Sequence, residues 1–124
     1  MPQATTAVKQ AKKEIVGREL ESRTLIYTIP EGLLPAGCSR VAVFAGDDLG
    51  TRVPKTKFKK VHSLCDRLFK ATNQIDYIRV SRTTHKRSNI EIQLKAGMKG
   101  SNAVRDKIHK ALEKLGDFTV TFKP

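Results

Sequence analysis

Between residues 40 and 123 the apolar side chains change their spacing from two residues to about 3.6 and back, twice over. Residues 40–45 (Arg-Val-Ala-Val-Phe-Ala) form a short, nearly continuous apolar run, which predicts a central strand buried on both faces. Phe58, Val61, Leu64, Cys65, Leu68 and Phe69 then fall on one side of a helix over 55–72. Residues 75–82 and 89–95 alternate, with Ile78 and Val80 on one face and Ile90, Ile92 and Leu94 on the other strand's matching face. Val104, Ile108, Ala111, Leu112 and Leu115 mark a second helix over 102–115, with Ser101 as cap and Gly116 as stop. Phe118, Val120 and Phe122 point one way in a closing strand over 117–123.

The order β-α-β-β-α-β from about residue 40 is that of the ferredoxin-like split β-α-β plan, an α+β fold with two helices on one face of an antiparallel sheet. Its other face is left open. Residues 24–29 (Thr-Leu-Ile-Tyr-Thr-Ile) are β-branched and aromatic and predict an added strand. Val8, Ala11 and Ile15 share a stripe that predicts an N-terminal helix over 7–20, although Gly17 disfavours it by about 1 kcal/mol relative to Ala. The chain of 124 residues has the length of one domain. It divides into an N-terminal helix and strand over 1–39, packed on an edge or on a partner chain, and a ferredoxin-like core over 40–124.

Charge narrows the choice of partner. Lys and Arg number 24 against 12 Asp and Glu, a formal net charge of +12. Residues 1–50 are balanced at six against six, so the whole excess lies in residues 51–124. Such segregation points to a polyanion, because neutralised phosphates release condensed counterions. No apolar run is long enough to span a membrane, and the first 20 residues lack the apolar stretch of a secretory signal. Two cysteines, Cys38 and Cys65, make neither a disulfide framework nor a zinc site and suit a reducing compartment.

Four segments have the chemistry to meet phosphate or base. Lys55, Lys57, Lys59 and Lys60 crowd the start of the first helix, where they oppose its dipole. On the open sheet face, alternation turns Tyr77, Arg79, Ser81, Glu91, Gln93, Lys95, Thr119 and Thr121 outward, and Tyr77 offers base stacking. Arg82, His85, Lys86 and Arg87 make a basic hairpin tip. Gly97 and Gly100 have a spacing that permits a backbone nest for a phosphate at the second helix, and Lys95 and Lys99 add charge there.

Catalytic sets are missing from the pattern. Asp47 and Asp48 form a carboxylate pair with no third acid near in sequence, His62, His85 and His109 lack evident partners, and Cys65 lies on an apolar stripe. The sequence therefore predicts a nucleic-acid-binding protein, RNA favoured, that is not an enzyme and has neither cofactor nor metal. It is expected in the cytoplasm. The alternatives are a self-assembling coat or nucleocapsid-like subunit, which would form a homo-oligomer and sit in a virion, and a ribosome-associated protein.

Overall fold

A computed structural model describes residues 13–20, 23–44, 53–84, 86–96 and 102–123. These residues form an α+β unit. Its strands are β1 (Lys13–Leu20), β2 (Thr24–Ile29), β3 (Arg40–Phe44), β4 (Ile75–Thr84), β5 (Arg87–Leu94) and β6 (Phe118–Lys123). Helix α1 (Lys59–Ala71) joins β3 to β4, and α2 (Asn102–Glu113) joins β5 to β6. The six strands make one mixed sheet in the order β3-β4-β5-β2-β1-β6, antiparallel throughout except for β1 beside β6.

Both helices cover the same face. Val61, Leu64, Cys65 and Leu68 of α1 and Val104, Ile108, Ala111 and Leu112 of α2 are buried. They share one core with Ile15, Leu25, Tyr27, Ile29, Val43, Ile78, Val80, Ile90, Ile92 and Leu94 from the sheet. Alternation on β4, β5 and β6 places their apolar side chains inward, and Tyr77, Arg79, Ser81, Glu91, Gln93, Thr119 and Thr121 on the other side, as their periodicity predicts.

The connectivity departs from the split β-α-β plan. That plan sets a strand between the two strands that a helix links, whereas β3 and β4 are direct neighbours, Phe44 opposite Tyr77 and Arg40 opposite Ser81. The β1–β2 pair is inserted between β5 and β6. Residues before 40 thus supply interior strands of the common sheet.

Two expected elements are corrected. Residues 13–20 are strand β1, not helix; residues 1–12 lie outside the described residues. The cause is the ring of Tyr27, fully buried opposite Gly17 in the ladder. A Cβ at residue 17 would lie 2.3 Å from a Tyr27 ring carbon, so this inward strand position holds no side chain. With one inward hydrophobe missing, β1 loses the alternation that marks a strand. Arg40–Phe44, the described part of the apolar run, is an edge strand, not a doubly buried central one. Val43 faces the core, and Phe44 is 40% exposed on the open face.

The loop after β2 is tied down from the hairpin. Leu33 N–H donates to the buried Ser88 hydroxyl (3.0 Å). Arg82 donates from its guanidinium to the carbonyls of Leu34 (3.2 Å), Pro35 (2.9 Å) and Cys38 (3.3 Å). Gly37, at φ 85°, makes the turn that aims these carbonyls together.

Tyr27 also anchors α2. Its hydroxyl and His109 Nε2 lie 2.9 Å apart, the two rings meet edge to face at 5.5 Å, and Phe122 packs against both. Burial, then the Arg105 guanidinium, hold the His109 imidazole below its ordinary pKa, against Asp106 and Glu113. The unfolded chain therefore takes up this proton first as pH falls. Stability from His109 is full above its unfolded value of about 6.5 and is lost as pH drops through the lower folded value. The expected result is that His109→Gln loses less melting temperature than wild type between pH 7.5 and pH 5, read by circular dichroism melts; an equal or greater loss would contradict it.

Candidate nucleic-acid interface

The expected site residues occupy four separate places. Lys55 and Lys57 lie exposed in the turn before α1, and Lys59 and Lys60 are its first two residues. This turn forms because Lys57 N–H and Phe58 N–H both donate to the Pro54 carbonyl. Lys57 extends over the Phe58 ring (5.7 Å). The first turn of α1 has no acid, so Lys59 and Lys60 do oppose the dipole. Glu31 answers part of that charge, 3.9 Å from both Lys60 and Lys13.

Tyr77 and Arg79 stand on the opposite, open face. The Arg79 guanidinium sits 5.5 Å from the Tyr77 ring centre, and Glu91 accepts from the Tyr77 hydroxyl (3.3 Å) and from Arg79 (3.5 Å). Lys86 and Arg87 are exposed at the hairpin tip. Lys95 follows β5, its N–H donating to the Gln74 carbonyl at 2.7 Å. Arg82 is set apart from the other hairpin cations: its strand position turns inward with Ile78 and Val80, and its guanidinium donates to loop carbonyls. His85, Lys99, the Gly97–Gly100 segment, Asp47 and Asp48 lie outside the described residues.

Five further cations gather elsewhere. α1 runs from the end of the sheet where β2 finishes to the end where β4 begins, and α2 returns the opposite way to β6. The antiparallel helices leave a groove of about 390 Å³ between them. Arg67, Lys70, Lys107, Lys110 and Lys114 line it, with Ala71 and Ala111 as its apolar floor. The two small floor residues let the groove stay open between long flanking side chains. Lys60 and Ser63 continue the same stripe of α1, three or four residues per step, towards the basic end of that helix.

Besides Glu31 beside Lys60, two acids moderate these charges among the described residues. Asp66 pairs with Lys70 (3.1 Å) and Asp106 with Lys110 (3.4 Å), both four residues apart on exposed helix surface. Such pairs contribute a few tenths of a kcal/mol and leave the cations open to a competing anion. No acid among the described residues pairs with Arg67, Lys107 or Lys114. On a length of about 10 Å along α2, from Lys107 to Lys114, the groove thus presents a net excess of positive charge.

Of the cations on and beside the helices, sequence reasoning names only the lysines at the start of α1 as site residues, and none of Arg67, Lys70, Lys107, Lys110 or Lys114. The available signal is the spacing: cations at i, i+3 and i+7 over residues 107–114 and at 60, 67 and 70 on α1. Other candidate groups are structural. His62 Nε2 meets the Val53 carbonyl, fixing the loop to the helix. Cys65 is buried on α1, and burial pushes its thiol up to about 12, far from a reactive thiolate. Among the described residues no cluster of His, Cys, Asp and Glu has metal-site geometry, and no helix is long and apolar enough to cross a membrane.

No protein-family model, curated protein or solved structure matches the chain.

Proposed function

We propose that this chain is a nucleic-acid-binding protein, with RNA favoured over DNA, that seats a phosphate backbone in the groove between α1 and α2. The observation that carries this reading is the convergence of Arg67, Lys70, Lys107, Lys110 and Lys114 on one groove. Lys60 extends the line to a sixth cation. Lysines act as point charges on phosphate, so the contacts give affinity more than sequence choice. RNA is favoured because the helices lie side by side on the sheet, and neither projects in the manner of a helix that enters the major groove of DNA.

Six phosphate contacts set the salt dependence. The expected slope of log K against log salt is about −4 on single-stranded and about −5 on double-stranded RNA. Fluorescence anisotropy across a salt series measures it. A slope shallower than about −1 on both would contradict a phosphate-backbone mode.

A further inference from the structure

We propose that the open face of the sheet holds a second contact, at Phe44 and Tyr77, that takes an unpaired base of single-stranded RNA. This rests on the nucleic-acid reading above and adds the strand state of the ligand.

Phe44 of β3 lies directly opposite Tyr77 of β4, and their rings are 5.4 Å apart and inclined at 47°. Phe44 and Leu20 are the large hydrophobic side chains left exposed among the described residues. Register puts both in one row, Phe44–Tyr77–Gln93–Thr24–Leu20, across five strands. The exposed face of the Phe44 ring at one end of such a row offers an apolar surface for a base. Tyr77 is held still beneath it, because Glu91 fixes both its hydroxyl and the Arg79 guanidinium over its ring.

The neighbouring row, two residues further along each strand and so about 7 Å away, reads Ala42–Arg79–Glu91–Ile26–Arg18–Lys123. It carries three cations to one acid. Aromatic surface with a parallel line of cations suits a strand whose bases stack on one row while its phosphates follow the other. A second copy of the chain docked here by the same face would bring the cation-rich rows together, so charge favours the polyanion.

The test uses a short single-stranded RNA carrying a fluorescent adenine analogue, beside a duplex of matched length. Wild type is expected to quench the analogue. Phe44→Leu should abolish quenching and weaken single-strand binding about tenfold, within the range of one base–aromatic stack, with duplex affinity unchanged. Phe44→Trp should retain quenching. Quenching that survives in Phe44→Leu, or an equal loss on both ligands, overturns the sheet contact and leaves the groove reading standing. A concentration-dependent dimer that Phe44→Leu dissolves overturns it in favour of a second copy. Absence of salt-dependent binding to either RNA overturns both readings.

Discussion

Glutamine in place of Lys107, Lys110 and Lys114 together lowers affinity for single-stranded RNA about a hundredfold at about 0.1 M salt. Each phosphate no longer neutralised removes about 0.7 from the slope of log K against log salt, so the slope falls by about 2. Lys107 and Lys110 lie on the exposed side of α2, away from Val104, Ile108 and Leu112, and Lys114 is exposed directly after its last residue. Lysine and glutamine have similar helix propensity. Among the described residues the triple change breaks the Asp106–Lys110 ion pair, which is exposed. An unchanged melting temperature should accompany the loss of affinity. Removing the two hairpin charges, by Lys86→Gln with Arg87→Gln, tests whether net charge alone explains the effect. These residues lie outside the groove, and their removal should leave the slope unchanged. Equal effects from the two variants, charge for charge, would contradict a groove.

Alanine at residue 17 destabilises the fold by about 2–3 kcal/mol, the cost of overpacking a filled core. The added Cβ would stand 2.3 Å and 2.4 Å from two ring carbons of Tyr27 and 3.2 Å from Phe122. The ring has no room to yield. Tyr27 is fully buried, its hydroxyl is bound to His109, and Phe122 packs alongside. The expected fall in melting temperature is about 10 °C. The sign is the informative part, since glycine to alanine in an exposed helix stabilises by up to about 1 kcal/mol. A rise in melting temperature would contradict both the strand at Lys13–Leu20 and the Tyr27 packing.

That position also shows where sequence patterns stop being legible. Thr24–Ile29 is a strand with the expected bounds because every residue in it is β-branched, aromatic or aliphatic. The helices are legible because their apolar stripes hold for three turns. In β1 the inward place beside Ile15 is filled by a side chain from the next strand, so the local pattern carries no sign of it. Phe44 misleads for a related reason: a continuous apolar run fits a doubly buried strand, and only its place at the sheet edge leaves Phe44 exposed. Strand order was out of reach because the β1–β2 pair enters the sheet between β5 and β6, far from both in sequence. The same holds for the site. Four lysines within Lys55–Lys60 draw attention as a run, whereas one wall of the groove has two cations and the other three, and the walls meet only after folding.

The most direct measurement is lysine acetylation, followed residue by residue by mass spectrometry with and without bound RNA. The groove predicts that Lys70, Lys107, Lys110 and Lys114 become slow to react when RNA is present, while Lys86 at the hairpin tip keeps its rate. Bound RNA that leaves all four groove lysines as reactive as before would contradict it.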